Sequence, residues 1–523
     1  MVPLILAACL GIAGTPGPGR EASAQESAGE ASEPDTSYLA GEAETSELGI
    51  SLEQAQRLAA AGSPATRAAL AALRTARGAR MKEAGPFDPV LIGASERLSA
   101  DTPVTSPFAA SESRARSLSG GISWLSPIGT AASVTLSQVQ LETNAPFSTL
   151  PRERHARARF DFVQPLLQGF GPAATRGELN AAERELEAAE RTAEAAALDL
   201  GAEVENAYWE LYAAERDLAV QRLQRQRAAV FLRDQLSRSR AGVVGPGAVA
   251  TARTFLAQQE ASLIDKRIAV GSASDRLAQV MGESSAAGGP RYHCLDEVPG
   301  PSTVEPLEVM LQRAIKGSPS LLAAEQAVLA ARARARQAAG NAWPSLEAFG
   351  GYGGSGLAGT GRRIVFGTDT LGTDFDTGFG DAWSDVFDDR NPDWNLGIRV
   401  RMPIGWRSDR GERERQAGLY EQAQESLRAR RLALETDVRR AHREAELSQR
   451  ALAAMRDLVE AAEEQARISR LEYQAGRSTA YALVNVETDL AEAKFGESQM
   501  LVRVARAATE LRRLTTPVSR RTQ

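Results

Sequence analysis

The sequence predicts a mixed α and β membrane protein, internally duplicated, in which long antiparallel coiled-coil helices join amphipathic strands. Three observations predict it. A series of short motifs occurs twice at one constant offset, apolar residues recur at steps of three and four over very long stretches, and two segments in corresponding places alternate apolar with charged residues.

The chain opens on an apolar run too short to span a bilayer, followed by a Gly/Pro/Ser/Glu-rich stretch, so residues 1–24 read as a secretory signal peptide. Two processing sites compete. Ala22-Ser23-Ala24 before Gln25 fits small-residue cleavage, whereas Leu6-Ala7-Ala8-Cys9 resembles a bacterial lipobox in which Cys9 would be acylated as a lipid anchor. Residues 25–48 read as a flexible segment. No later run reaches the 18 apolar residues of a transmembrane helix, which leaves a periplasmic, secreted or β-barrel protein. Only Cys294 remains in the mature chain, so no internal disulfide forms. Lys plus Arg total 61 against 67 Asp plus Glu; a net charge of -6 in 523 residues gives no reason to expect nucleic acid as a partner.

Ser51-Leu52-Glu53 is followed by Gly62-Ser63-Pro64, Ala76-Arg77 and Ala84-Gly85. Pro306-Leu307-Glu308 is followed by Gly317-Ser318-Pro319, Ala331-Arg332 and Ala339-Gly340 in the same spacing. The first copy covers 49–284, a connector 285–305, the second copy 306–515, and a tail 516–523. Each copy reads as a helix (about 50 to 84, and 306 to 339), extended segments (86 to 166, and 341 to 405), a very long helix, a turn and a shorter helix.

The long helix of the first copy carries Leu179, Ala182, Leu186, Ala189, Ala193, Ala196, Leu200, Val204, Ala207, Leu211, Ala214 and Leu218, a coiled-coil seam with one stutter. Leu434, Val438, Ala441, Ala445, Leu452 and Met455 continue that logic in the second. Small residues let the helices approach closely. From 172 to 240 such a helix is roughly 100 Å long, and the short helices at 50 to 84 and 247 to 282 are each about half that, so two of them end to end match one long one.

The extended segments have period two. Trp394, Leu396, Ile398, Val400 and Met402 alternate with Asn395, Gly397, Arg399 and Arg401, while Ala158, Phe160 and Phe162 alternate with Arg157, Arg159 and Asp161. In an exported chain that pattern favours a transmembrane barrel with a wet lumen. Two strands per copy make four per chain, too few to close a barrel, so several chains must share one.

The layout resembles the TolC-type outer membrane efflux proteins over nearly all of residues 50 to 515. The motifs that carry the resemblance are Phe162-Val-Gln-Pro165-Leu-Leu-Gln-Gly169-Phe-Gly171, answered by Val400-Arg-Met-Pro403-Ile-Gly-Trp406, and Ala241-Gly242-Val-Val, answered by Tyr473-Gln-Ala-Gly476-Arg-Ser-Thr. The resemblance implies a homotrimer with four strands per chain in a 12-stranded barrel set in outer-membrane lipid. A helical α-barrel would extend it through the periplasm, as the passive exit duct of a tripartite efflux or type I secretion system. It also implies that the tips at Gly242, Val243, Gly476, Arg477 and Ser478 meet a periplasmic adaptor and an inner-membrane pump. In the best-known relative an Arg and two Asp residues follow the second tip Gly and close the inner end. The same steps from Gly476 reach Ser478, Ala482 and Asn485, so that charged gate is missing. Asp489 shares the helix face of Ala482 and Asn485 one turn farther on, where three copies would repel one another and attract cations; a bond to a neighbouring helix is the plainer role.

No catalytic, phosphate-loop or cofactor signature occurs, so no enzyme is expected. His155, His293 and His442 are scattered, and Tyr292-His293-Cys294 lacks the spacing of a metal site. Asp369, Asp374, Asp376, Asp381, Asp385, Asp388 and Asp389 could wrap Ca²⁺, but their spacing is not that of an EF-hand loop; a solvated loop at the outer face explains them more simply. The competing reading is a periplasmic coiled-coil adaptor or structural protein with no barrel.

Overall fold

The computed structural model describes residues 47–106, 108–283, 291–298, 300, 303–372 and 375–517. Cys9, both processing sites and Asp374 lie outside the described residues. In chain order the elements are strand β1 (Glu47–Ile50), helices α1 (Leu52–Gly62) and α2 (Pro64–Ala84), a 3-10 turn (Gly85–Phe87), and strands β2 (Val90–Asp101), β3 (Glu112–Leu125), β4 (Ala131–Thr143) and β5 (Arg152–Pro165). Helices α3 (Pro172–Thr175), α4 (Gly177–Arg240) and α5 (Pro246–Met281), strand β6 (Arg291–Cys294), and helices α6 (Leu307–Gly317) and α7 (Pro319–Asn341) follow. Then come β7 (Ser345–Thr360), β8 (Ile364–Phe366), β9 (Asp369–Leu371), α8 (Phe379–Phe387), β10 (Pro392–Arg401), α9 (Arg407–Gln474) and α10 (Ala480–Thr515).

The single helices expected at 50–84 and 306–339 are each broken in two. Proline disfavours helical backbone in the residue before it, and Ser63 (ψ 134°) and Ser318 (ψ 118°) are extended ahead of Pro64 and Pro319. These breaks are where the returning helices arrive. Gly282, after α5, lies against Gly62, and Pro517, after α10, lies against Gly317. Thus α5 stacks end to end on α2 beside α4, and α10 on α7 beside α9.

Helix α4 has 64 residues and α9 has 68, which at 1.5 Å per residue makes each about 100 Å long. The packing is close enough to need glycine: a Cβ on Gly177 would lie 2.4 Å from Gln337 Cβ. Half-way along, each copy buries its own cluster. Val204, Tyr208, Trp209 and Leu211 of α4 pack on Leu277 and Met281, and Val438, Ala441 and Ala445 of α9 pack on Met310, Leu321 and Leu511.

Beside the first cluster β1 pairs in parallel with β6, and Tyr208 ties both down. Its hydroxyl accepts from the amides of Leu295 and Asp296 at 3.1 and 3.0 Å and lies 3.1 Å from Ile50 O. Burial pushes the Tyr208 phenol and the Cys294 thiol above their ordinary ranges, so both stay protonated in this clasp.

The strand count departs from expectation. One antiparallel sheet runs in the order β10-β7-β5-β4-β3-β2, so the chain supplies six strands, four of them from the first copy. The alternation at 157–162 marks only the last of those four. The hairpin of β3 and β4 escapes such a reading because its polar face is Ser-, Gly- and Thr-rich, with few charges to mark the period.

Candidate functional site: the sheet wall and the helix tips

The sheet's register sorts its side chains. Leu118, Ile122 and Trp124 of β3 share a face with Val134 and Leu136 of β4, Phe160 and Phe162 of β5, Tyr352 of β7, and Trp394, Leu396, Ile398 and Val400 of β10. Most of these are exposed, Trp394 by 74%. An apolar patch of that extent on one sheet face marks contact with lipid or protein. The opposite face carries Ser117, Ser119, Thr135, Arg157, Arg159, Asp161, Asp393, Asn395 and Arg399. There Arg159 sits 2.8 Å from both Asp161 and Asp393, and Glu347 faces Arg399 at 3.6 Å. Strand β2 is the exception: pairing puts its Val90, Ile92 and Leu98 on the polar face. As an edge strand exposed on both sides, it has no alternation of its own to set its register.

The acidic segment is not all loop. Helix α8 lies across the apolar face, where Ala382 and Val386 pack on Ala156 and Ala358. Only small sheet residues permit it, since a Cβ on Gly356 would fall 1.9 Å from Ala382 O. Its carboxylates take local partners: Arg390 reaches Asp385 at 2.6 Å and Asp388 at 3.3 Å. Among the described residues no group of His, Cys, Asp and Glu is placed to hold a metal ion, and His293 instead lies 3.1 Å from Glu215.

At the far ends, α4 turns into α5 and α9 into α10 by the same device. Gly242 and Gly476 both adopt φ +73°. The next residue's amide reaches back five positions, Val243 to Arg238 O and Arg477 to Glu472 O, each at 2.9 Å. Pro246 then starts α5, and the Thr479 hydroxyl caps α10 by accepting from the Ala482 amide at 3.2 Å. A Cβ on either tip glycine would meet nothing within 4 Å, and Val243 is 71% exposed.

Ala482, Asn485 and Asp489 all lie on the exposed face of α10, together as their spacing requires. Sequence reasoning missed the buried face beside them. Leu483, Glu487 and Leu490 form the seam toward α4 and α9, and the Glu487 side chain, 8% exposed, receives Arg227 of α4 at 3.1 Å and Arg470 of α9 at 2.5 Å. One turn nearer the tips, the Gln235 amide donates to the Tyr473 hydroxyl, which lies 3.4 Å from Asp234, and Arg238 stacks 4.8 Å above the Tyr473 ring. Between these ties lies a cleft of about 550 Å³ lined by Val230, Phe231, Phe255 and Val484. A carboxylate at an apolar seam position was the available signal.

The chain thus joins a sheet with an exposed apolar face to paired helical hairpins about 100 Å long, an architecture suited to a membrane channel with a long helical extension. Among the described residues no helix is long and apolar enough to cross a membrane. The family model for the outer membrane efflux protein matches residues 150–283 and 310–516, and the chain belongs to that family. Among solved structures, the outer-membrane channel OprN is similar at 18% identity, with a TM-score of 0.63 over 89% of this chain and 90% of that one. The CmeC outer membrane channel of Campylobacter jejuni gives 11% identity and a TM-score of 0.63 over 89% and 85%. VceC, from Vibrio cholerae, gives 16% and 0.61 over 89% and 96%. No curated protein sequence matches the chain. The protein is therefore an outer-membrane efflux channel, its helices extending into the periplasm, in a family of transporters rather than enzymes.

Proposed function

We propose that three copies of the chain close into one passive duct, serving a periplasmic adaptor and an inner-membrane pump in a tripartite efflux or type I secretion system. The observation that carries this reading is the open six-stranded sheet continuous with the long hairpins. Its edges, β2 and β10, cannot stay unpaired in hydrocarbon. An even number of antiparallel strands makes the two edges antiparallel to each other, so β2 of one copy can pair with β10 of the next around a ring. The wall would then hold eighteen strands, where the family resemblance implies twelve. Scattering mass of the detergent-solubilised protein should give three chains, and electron microscopy should resolve eighteen strands. Twelve strands, with β3 and β4 lying outside the wall, would refute the count while leaving the duct.

The tips at Gly242, Val243, Gly476, Arg477 and Ser478 are assigned to adaptor docking, and the face of Ala482, Asn485 and Asp489 to the narrow inner end. Asp489 is exposed and no residue described in its own chain pairs with it, which supports a ring around the axis. Multivalent cations should therefore block single-channel current, and Asp489→Ala should remove the block. Block that survives the substitution puts the ring elsewhere. The ties of Glu487 and Tyr473 join the two hairpins of one chain and are assigned to holding the tip closed.

A further inference from the structure

One level of the sheet, above its apolar band, is basic. The register sets Arg97, Arg116, Gln140 and Arg154 side by side on the apolar face of four successive strands. On β3 this level begins two residues beyond Leu118, and on β5 two residues beyond Ala156. From Trp124 to Arg116 the strand covers about 27 Å at about 3.4 Å per residue, which at a tilt near 40° makes about 21 Å of height, close to the roughly 25 Å apolar height of outer-membrane barrels. The end of β5 away from these arginines leads into the periplasmic helices. The row therefore stands at the level of the outer-leaflet headgroups.

Neighbouring arginines have partners that this pair lacks. One level farther out Arg114 lies 3.6 Å from Glu112, and Arg152 lies 3.8 Å from Glu142. Arg154 donates to Thr377 O at 3.5 Å and sits 5.5 Å from the centroid of the Phe379 ring, which closes the row against α8. Arg97 and Arg116 are direct cross-strand partners, both exposed, and among the described residues neither has a carboxylate or hydrogen-bond partner. Like charges directly opposite destabilise a strand pair unless an anion lies between them.

We propose that Arg97 and Arg116, with Gln140 and Arg154 completing the row, bind the phosphorylated headgroup of an outer-leaflet lipid on the membrane side of the wall. The inference rests on the reading of the apolar face as lipid-facing. Two guanidinium forks can each grip phosphate oxygens through paired N–H donors, and the Gln140 amide, one N–H of which donates to Glu142 at 3.0 Å, has its second N–H as a neutral donor between them and Arg154. A lipid fits better than a free anion because Leu91, Leu118 and Ile122 continue the same face below the row, where acyl chains can lie.

The test is native mass spectrometry of the detergent-solubilised full-length protein, titrated with diphosphorylated lipid A, the same lipid stripped of phosphate, phosphatidylcholine, and inorganic phosphate. The diphosphorylated lipid should bind tightest, and Arg97→Gln with Arg116→Gln should weaken it by roughly tenfold or more. Phosphate removal should cause a similar loss on the unaltered protein, a comparison that stands even if the double variant fails to assemble. Equal binding of all three lipids, or full displacement by millimolar inorganic phosphate, would overturn the proposal. A protein that conducts normally without discriminating the lipids defeats this inference alone, whereas extraction without detergent would defeat the wall reading beneath it.

Discussion

Replacing Gly242 or Gly476 with valine is expected to abolish export while membrane insertion and assembly persist. Both glycines sit at φ +73°, where a side chain costs about 1–2 kcal/mol and a β-branched one more. That strain is small against the roughly 5–15 kcal/mol that hold a folded domain, so it should distort the turn and leave the helices standing. No atom lies within 4 Å of either added Cβ, which means the turn itself, and not a clash inside the chain, would transmit the damage. A graded series separates shape from bulk: asparagine, which tolerates left-handed backbone, should be mild, alanine intermediate and valine severe. Efflux assayed in cells, with heat-resistant oligomer on gels as the folding control, reads both quantities. Undiminished export in both valine variants would remove the tips from the docking role.

Glu487→Ala is expected to open the inner end. The side chain is buried between Arg227 and Arg470, and its loss leaves two guanidiniums facing each other with no anion between them. Breaking a buried ion pair costs about 3–5 kcal/mol, but both arginines are about one third exposed, so solvent screening puts the effect nearer 2 kcal/mol. That is roughly a 30-fold shift in an open–closed equilibrium. Single-channel recordings in planar bilayers should show a higher open fraction, and adding Arg227→Ala to Glu487→Ala should restore part of the closure. A variant with unchanged conductance would mean that the tie is structural only.

The long helices and their paired layout were legible because small and branched residues mark every turn of Leu179–Leu218 and of Leu434–Met455. Strands β5 and β10 showed for a similar reason, with apolar residues alternating with polar or small ones, arginines among them. The β3 and β4 hairpin was hidden by neutral small residues, since Ser119, Gly120 and Gly121 carry little hydropathy signal of any period. The breaks at Ser63 and Ser318 were written plainly as Ser-Pro, yet helical periodicity on both sides masked them. Of the tip residues, the turn glycines could be read because the repeat set them in register. The Glu487 carboxylate stood out between the seam residues Leu483 and Leu490, but its partners Arg227 and Arg470 depend on which helix faces meet, and only packing decides that. The Arg97–Arg116 pair required knowing β3 first.

The six-stranded sheet also bears on circumference. In the proposed trimer each chain would present four helical rods around the duct: α4, α9, α5 stacked on α2, and α10 stacked on α7. Twelve rods spaced at about 8–10 Å make a ring of roughly 100–120 Å. Eighteen strands at about 4.8 Å, tilted near 40°, make a ring of roughly 110 Å, whereas twelve at the same tilt make about 75 Å. In that trimer the additional hairpin would bring the perimeter of the sheet up to that of the helices it stands on. In such a trimer a molecule passing from the helical tunnel into the membrane would meet no collar at the junction, and any narrowing of the path would fall to the tips.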